Sequence, residues 1–473
     1  MPRLALTSFA ALLIAAPLFA AESKSRPVGE KPNIIYFMVD DLGYGELGCY
    51  GQKKIKTPYI DAFASEGMRF TQVYAGSNVC APCRSVLMTG RHTGHTPIRA
   101  NGAGRHLSLE DDTVAERMKA AGYATGLFGK WGLGNENSEG APWRQGFDEF
   151  LGQLEQVHAH FYYPYWIWHN DKKMMLPGNE RNQRGSYVQD VMHAGALDFI
   201  RGNIDKPFFL YYACIIPHVE LVVPEEDELP YRGKFPKRLI DDRRPGYIDG
   251  ADGLVTFAGM VSRMDRQFGQ IITLLKELGI DDNTLVIFTS DNGGQGGGDW
   301  AKMTDFFEGN APLKGYKGMW YEGGIRVPFI ARWPRKIKAG TETDHLTYFG
   351  DFMPSACEVA GVDAPANTDG ISYLPTLLSR PLQQKQHDYL FFEYRSGTKM
   401  RYCIRQGDWK ILQSRPAGSF ELYNIRNDIS EENNLADKHP DIVDRMKSLI
   451  EQSRTPEIEF APIERTGIKD YVR

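Results

Sequence analysis

The sequence predicts an α/β fold: a large, mostly parallel or mixed sheet sandwiched by helices, then a smaller C-terminal antiparallel sheet packed against a helix. Buried apolar runs alternate with stretches of helical periodicity through most of the chain, which is typical of a layered α/β domain. Two short strand-like runs and an amphipathic helix follow near the C-terminus. At 473 residues, the chain is long enough for one large domain and a smaller one.

These patterns give the elements in chain order. The predicted strands of the large sheet cover residues 32–39, 68–74, 122–130, 207–216, 284–290 and 329–333. The predicted helices cover 57–67, 115–121, 187–200 and 257–278. The smaller sheet is predicted from strands at 407–412 and 421–424, with a helix at 440–450. We expect a signal peptide at 1–21, a large domain at 22–375 and a C-terminal α+β subdomain at 376–473.

The composition argues against two classes of protein. A net charge of −5 leaves no surplus of Lys or Arg to follow a phosphate backbone, so a nucleic-acid partner is not expected. Six cysteines are few for an exported chain of this length, so we expect no organising disulfide framework.

The first residues have the features of a secretory signal. Arg3 gives a positive start, residues 4–19 are apolar, and Ala20-Ala21 offers small residues for cleavage. The alternative is a membrane anchor, but the apolar stretch has about 16 residues, against the roughly 20 that a spanning helix needs. We therefore expect an exported protein, periplasmic or extracellular, without stable membrane insertion.

Carboxylate and amide side chains follow two of the predicted strands. Asp40 and Asp41 come directly after the strand 32–39, and Asp291 and Asn292 follow the strand 284–290. Open α/β sheets bind ligands beyond the carboxyl ends of their strands, where these residues would meet. Their hard oxygen donors indicate Ca²⁺, with Mg²⁺ as the alternative metal. The other interpretation of each pair is a turn or a helix cap.

A cysteine motif follows the predicted strand 68–74. Cys80 and Cys83 form a C-x-x-C, which alone indicates a thiol redox pair or half of a zinc site. Neither interpretation accounts for Arg84 or for the Thr-Gly that ends the next apolar run. The Cys-x-Pro-x-Arg pattern that begins at Cys80, with this ending, resembles a signature of the formylglycine-dependent sulfatases of the alkaline phosphatase-like superfamily. In that family a maturation enzyme oxidises the cysteine to formylglycine, which implies the same modification and partner for this chain.

Residues 122–134 resemble a second signature of the family, in which a strand ends in Gly-Lys-Trp-His-Leu-Gly. Lys130 matches the lysine that binds the sulfate. Gly132 stands where the family usually has a histidine that helps to deprotonate the aldehyde hydrate, and Cys83 where it usually has a small residue such as Ser. His158 and His160 are candidates to replace that histidine; the alternative is a loop in which both are packed by aromatic rings.

Two later positions also match the family. His218, just after the strand 207–216, matches the histidine that protonates the leaving oxygen; its alternative is a capping or surface role. Lys317, which precedes Gly318, matches the second sulfate-binding lysine, with Lys314 as the neighbouring alternative.

The resemblance implies a complete site. The implied catalytic residues are Cys80, Arg84, Lys130, His218 and Lys317. The implied substrate-binding residues are His160, Lys130, His218 and Lys317. The implied metal ligands are Asp40, Asp41, Cys80, Asp291 and Asn292. Cys80 and the lysines are expected in loops at the same edge of the sheet as the acids.

The chain looks most like bacterial carbohydrate sulfatases and arylsulfatase A-like enzymes. This implies a sulfuric ester hydrolase that releases inorganic sulfate from a sulfated small molecule or glycan, through a formylglycine hydrate at position 80 and a Ca²⁺ ion. The aromatic, polar segment 162–170 favours a sugar over a flat aryl group, and the resemblance to bacterial carbohydrate sulfatases implies exo action on a galactose or N-acetylhexosamine sulfate. The alternatives are a broad-specificity arylsulfatase, a phosphate or phosphonate ester hydrolase of the same superfamily, and a thiol redox protein that uses Cys80 and Cys83.

Overall fold

The structure is a computed structural model that describes residues 31–102, 104–238, 240, 252–396, 399–457 and 471. The predicted signal peptide at 1–21 lies outside the described residues. Within them, no helix has both the length and the apolar character that crossing a membrane requires.

Strands and helices alternate through most of the described chain. The strands are β1 (Asn33–Val39), β2 (Met68–Phe70), β3 (Val73–Tyr74), β4 (Ala124–Lys130), β5 (Glu149–Gln153), β6 (Trp166–His169), β7 (Lys172–Met175), β8 (Phe208–Ala213), β9 (Thr284–Ser290), β10 (Phe329–Arg332), β11 (Thr341–Thr343), β12 (Thr347–Tyr348), β13 (Leu390–Ser396), β14 (Lys399–Gln406), β15 (Trp409–Leu412) and β16 (Glu421–Asn424). The helices are α1 (Pro58–Glu66), α2 (Cys80–Thr89), α3 (Val114–Ala120), α4 (Val188–Gly202), α5 (Glu225–Glu228), α6 (Gly253–Glu277), α7 (Gly298–Phe306), α8 (Glu322–Ile325), α9 (Phe352–Ala360), α10 (Leu374–Leu377) and α11 (Pro440–Gln452).

A ten-stranded sheet forms the centre of the large domain, in the order β11-β2-β10-β9-β1-β8-β4-β5-β6-β7. Its five central strands, β9, β1, β8, β4 and β5, all run parallel. Towards one edge β10 pairs antiparallel with β9 and β2, and towards the other β6 pairs antiparallel with β5 and β7. Because the central strands are parallel, their carboxyl ends meet at one edge, where the site lies.

Helices cover both faces of this sheet. Alternate residues of a strand point to opposite faces, and β1 follows this rule with every side chain buried. Ile34, Tyr36 and Met38 belong to the core that includes α2, α3 and α9. Ile35, Phe37 and Val39 belong to the core that includes α1, α4 and α6. The predicted sandwich is confirmed, and burial on both faces explains why β1 is apolar from Ile34 to Val39.

The C-terminal part forms the predicted antiparallel sheet, in the order β13-β14-β15-β16. Its apolar face packs against Ile442 and Met446 of α11. The prediction was wrong in giving this sheet two strands, because β13 and β14 were missed. Their hairpin carries charged residues at alternate positions, such as Arg401 and Arg405, and these weaken the hydrophobic signal of a strand.

Three further predictions were wrong in detail. The single strand predicted at 68–74 is two strands in different sheets, β2 beside β10 and β3 beside β12. Between them the Thr71 N–H donates to the Thr343 carbonyl (2.9 Å) and the Gln72 carbonyl accepts from Thr347 (3.2 Å), so the chain changes its strand partners. Cys80 begins helix α2 rather than lying in a loop, and Lys130 is the last residue of β4.

Candidate active site

Four of the predicted metal ligands meet where β1 and β9 end. These strands pair in register up to their last residues, so the residues that follow them leave the sheet side by side. The Asp41 N–H donates to Oδ1 of Asp291 (3.1 Å), and the amide nitrogen of Asn292 donates to Oδ1 of Asp41 (2.7 Å). Asp40, Asp41, Asp291 and Asn292 are all fully buried. The strand pairing therefore brings together the two acidic pairs that are about 250 residues apart in the chain.

Each of the three carboxylates has a different cationic partner. The pairs are Asp40 with Lys130 (2.7 Å), Asp291 with Arg84 (2.9 Å) and Asp41 with Lys317 (2.7 Å). Since all three carboxylates are buried, these charges interact in a poorly hydrated environment, where ion pairing is strong and unpaired charge is costly.

The pKa values of the acids indicate a site with room for more positive charge. Burial alone would raise the pKa of Asp40, but Lys130 and other nearby cations hold it well below its usual range. Burial and the neighbouring Asp40 raise the pKa of Asp291 to about 7, and burial raises the pKa of Asp41. Three carboxylates and an amide are hard oxygen donors, so this donor set fits Ca²⁺ or Mg²⁺.

Cys80 lies against this acidic group. Its Sγ atom is 3.4 Å from Oδ1 of Asp40 and 3.8 Å from Oδ1 of Asn292. Ligand atoms of Asp40, Asp41, Cys80 and His218 all lie within 4.8 Å of one another. Position 80 is therefore close enough to share one bound cation with Asp40 and Asp41.

Arg84 lies one helical turn after Cys80 and faces the same group. Its guanidinium donates to Asp291 (2.9 Å) and to the carbonyl of Lys130 (2.8 Å), and the side chain is fully buried. The helix that carries both residues has Pro82 in its first turn, where the missing N–H leaves no helical hydrogen bond unmade. The motif spacing thus puts the cysteine and the arginine on one face of α2.

The two thiols of the motif do not have the properties of a redox pair. Burial raises the pKa of Cys80 and of Cys83, and nearby Asp291 raises both further. Reactive redox cysteines have the opposite shift, because the thiolate is the reactive form. All six cysteines are free in this structure. The surroundings of Cys80 and Cys83 therefore do not support the thiol redox alternative.

Lys130 is held at the end of β4 by a close approach of two strands. A Cβ atom at Gly129 would lie 1.9 Å from the carbonyl oxygen of Ala213 in β8, so only glycine fits before the lysine. Lys317 reaches the acids from the other side of the site. Its N–H donates to the carbonyl of Gly294 (3.0 Å), which ties its loop to the segment that follows Asp291.

His218 and His160 lie together at the site. Their rings stack with centroids 4.1 Å apart, and Nε2 of His218 is 3.2 Å from Nζ of Lys317. Nδ1 of His218 is 2.6 Å from the carbonyl of Val219. Burial lowers the pKa of both histidines well below the usual value, and the Lys317 charge lowers that of His218 further. Both imidazoles are therefore neutral at physiological pH.

His158, the other candidate to replace the missing histidine, does not lie with the acids, the lysines and His218. It is buried against Trp166 and Tyr471, and its Nε2 is 2.9 Å from the Trp166 carbonyl. Burial lowers its pKa to about 3. This is the aromatic packing that the sequence left open as the alternative.

The space in front of Gly132 is filled by a residue that the sequence patterns did not indicate. A Cβ atom at position 132 would lie 2.1 Å from the side-chain nitrogen of Gln156, so a histidine there would displace this glutamine. Gln295 is a second missed residue, and its amide donates to Asp41. Gln295 follows the matched pair Asp291-Asn292 by a few residues, but a lone glutamine in a loop gives no recognisable signal.

The chain is similar to known proteins over most of its length. The sequence model of the sulfatase family matches residues 32–362, and that of the C-terminal region of N-sulphoglucosamine sulphohydrolase matches 315–456. An N-acetylgalactosamine-6-O-sulfatase of Bacteroides thetaiotaomicron is 29% identical, over 90% of this chain and 94% of its own length. An N-acetylgalactosamine-6-sulfatase of Canis lupus familiaris is 31% identical, over 86% of this chain and 76% of its own. The crystal structure of Ps i-CgsB with k-i-k-neocarrahexaose has a TM-score of 0.76 and 28% identity, covering 90% of this chain and 93% of that one.

Proposed function

Because this chain belongs to the sulfatase family and is a sulfuric ester hydrolase, we propose that it removes sulfate from a carbohydrate through formylglycine formed from Cys80 beside a Ca²⁺ ion. One observation carries the proposal: the 3.4 Å contact between Cys80 and Asp40 within a buried group of three carboxylates. Mg²⁺ is the alternative metal, since it uses the same donors.

The charges of the site favour an anionic substrate. Arg84, Lys130 and Lys317 each pair with a carboxylate. With a divalent cation held by Asp40, Asp41, Asp291, Asn292 and position 80, the summed formal charge would be about +2. The three cations could then donate to the sulfate oxygens, Arg84 through a planar fork and the lysines as point charges.

The buried thiol of Cys80 is itself a poor nucleophile. Its raised pKa keeps it protonated, and the thiolate is the form that attacks. Formylglycine at this position supplies a hydrate hydroxyl as the nucleophile and lets the sulfate leave later by C–O cleavage. A maturation enzyme acting on this segment is therefore part of the proposal.

The proton for the leaving alcohol comes from Lys317, which is hydrogen-bonded to His218. His218 donates from Nδ1 to the Val219 carbonyl, so its Nε2 accepts from the Lys317 ammonium. Burial alone would lower the pKa of Lys317, but Asp41 and the other acidic groups around it together raise the pKa above its usual value, so the lysine carries the transferable proton. His160, stacked on His218, would hold that ring in place and line the sugar site.

We propose a galactose or N-acetylhexosamine sulfate as the substrate, cleaved at a chain end. Support comes from the relatives that are named as N-acetylgalactosamine-6-sulfatases. The 1% exposure of Cys80 also favours a terminal residue that enters the pocket over an internal one. Signal cleavage near residue 21 and export to the periplasm or beyond belong to the same proposal, as does a boundary near 375 between the catalytic and C-terminal parts.

The test is an assay of free sulfate with a panel of sulfated monosaccharides, using protein made together with a formylglycine-generating enzyme. We expect release from at least one galactose or N-acetylhexosamine sulfate and none by the Cys80→Ala variant, whose circular dichroism should match the wild type. Activity on para-nitrophenyl sulfate with none on any sugar would contradict the carbohydrate assignment. Turnover by Cys80→Ala would contradict the mechanism.

A further inference from the structure

The C-terminal hairpin of β13 and β14 reaches the loop that carries Lys317. The guanidinium of Arg401 in β14 donates to the carbonyl of Gly318 (3.0 Å), the residue after Lys317. The N–H of Gly318 donates to the carbonyl of Asn78, two residues before Cys80 (2.8 Å). A continuous set of contacts therefore joins the C-terminal sheet to both sides of the site.

Arg401 has no carboxylate partner among the described residues. Arg395 on the facing strand pairs with Glu457, and Arg99 and Arg454 pair with Glu393. Burial lowers the pKa of Arg401, and the group that opposes this shift is a phenol, not an acid. Its Nε atom is buried and makes no hydrogen bond to the described residues.

A second unsatisfied group adjoins the same loop. Asn78 is fully buried, and neither atom of its side-chain amide has a hydrogen-bond partner in the part of the chain that the structure describes. Desolvated polar groups without partners cost free energy, which a bound polar ligand recovers. Arg401 and Asn78 are thus two residues with unsatisfied polar atoms whose guanidinium and backbone carbonyl, respectively, hydrogen-bond to Gly318.

Tyr394 packs against Arg401 at the same place. The guanidinium of Arg401 lies over its ring, 5.4 Å from the centroid. Burial raises the pKa of the Tyr394 phenol, and charges at Arg401, Cys80 and Lys317 also act on it. The hydrogen bond from Arg401 to Gly318 places the guanidinium, and the ring beneath it, beside the loop whose Lys317 would bind the sulfate ester.

We propose that Arg401, with Tyr394, forms a subsite for a second anionic group of the glycan, either a carboxylate or another sulfate. A planar guanidinium suits both oxyanions, since it donates two parallel hydrogen bonds. The assignment rests on the proposed function, because the ester sulfate of the same glycan would occupy the site at Cys80. The enzyme would then prefer glycans with two negative groups over singly charged ones.

The experiment compares the wild type, Arg401→Met, Arg401→Lys and a charge-matched control, Arg445→Ala, on the exposed face of α11. The substrates are a hexosamine monosulfate, the corresponding disulfate, a monosulfated hexosamine–uronate disaccharide, and para-nitrophenyl sulfate. For Arg401→Met we expect kcat/KM to fall about tenfold or more on at least one dianionic substrate, mainly through KM, as for one lost charge-assisted hydrogen bond. On para-nitrophenyl sulfate it should change less than about twofold, and Arg401→Lys should recover part of the loss.

The loss of kcat/KM on the disulfate, compared with the loss on the uronate disaccharide, shows whether the subsite binds a sulfate or a carboxylate. An equal loss on all four substrates would overturn the subsite, because Arg401 would then act only by holding Gly318 and Lys317. No loss on any substrate would overturn it too.

Binding separates this inference from the proposed function. Calorimetry of the disulfate and the disaccharide with Cys80→Ala, which cannot turn over, should give a Kd that rises about tenfold for one of them when Arg401→Met is added. That rise would support the subsite even if the wild type released no sulfate, while an unchanged Kd for both would overturn it.

Discussion

The ammonium of Lys317 lies 3.2 Å from Nε2 of His218, whose other nitrogen, Nδ1, is 2.6 Å from a backbone carbonyl. The carbonyl can only accept, so it fixes the tautomer: Nδ1 carries the ring proton and Nε2 is free to accept. The pair therefore holds its transferable proton on the lysine, and the histidine sets its direction.

Replacing Lys317 should affect poor leaving groups most. Lys317→Met removes the proton donor and one sulfate contact, so kcat/KM on a sugar sulfate should fall by about 10²- to 10⁴-fold. On para-nitrophenyl sulfate the loss should be smaller, because nitrophenolate leaves without protonation. Steady-state kinetics with both substrates measure the ratio, and equal losses on both would mean that Lys317 only binds sulfate.

Removing one buried acid should remove the metal. Asp291→Ala takes away one of the three carboxylates, and we expect the bound divalent ion to be lost on dialysis. Elemental analysis of the purified protein gives the ion-to-protein ratio. The control is Asp198→Ala, whose carboxylate is exposed on α4. A wild-type ratio in Asp291→Ala would show that the ligand assignment is wrong.

A buried ion cluster joins helix α8, which follows the loop of Lys317, to the C-terminal sheet. Nζ of Lys410 in β15 is 2.8 Å from Glu322 and 3.0 Å from Glu431, and all three side chains are fully buried. Lys410→Met leaves Glu431 without a cationic partner among the described residues and Glu322 with Arg326 alone, so the free energy of unfolding should fall by about 3 to 5 kcal/mol.

Urea denaturation tests this against Lys447→Met, which removes an exposed lysine of α11. Adding Glu431→Gln to Lys410→Met should restore part of the loss, because the carboxylate left without a cation is then neutral. A loss as small as that of the exposed control would contradict the assigned role of Lys410.

The pair of His387 and Asp351 gives a pH-dependent contribution to stability. Burial alone would lower the pKa of His387, but Asp351, 2.8 Å away, raises it above its usual value of about 6.5. The folded state thus binds the proton more tightly than the unfolded state. The stabilisation is complete below that usual value and is lost as pH rises through the raised pKa. The thermal midpoint of the wild type minus that of His387→Gln should therefore shrink with rising pH, and a difference that grows would contradict the pairing.

Sequence patterns indicated the acids because an apolar run followed by carboxylates is a local signal, and the cysteine motif was indicated by its resemblance to a family signature. Asp40 and Asp291 each follow an apolar run, and parallel pairing of the two runs is enough to bring them together. Arg84 was indicated by that signature, whereas the helix that puts it on one face with Cys80 was not predicted. In contrast, Gln156 lies against Gly132 and Arg401 against Gly318 because of how a loop and a hairpin fold. Nothing in the local sequence of either residue indicates these contacts. The split of residues 68–74 into two strands also depends on distant partners.

The proposed function requires that Cys80 is converted to formylglycine and that the converted protein is the active form. Peptide mass spectrometry of protein purified with graded amounts of maturation enzyme measures the converted fraction, and a sulfate assay on the same samples measures turnover. We predict a peptide in which an aldehyde replaces the CH2–SH group of Cys80, which lowers the mass of the peptide. The kcat of each sample should be proportional to the fraction of the peptide that is converted. Full turnover with Cys80 unmodified, or bridged to Cys83, would contradict the account.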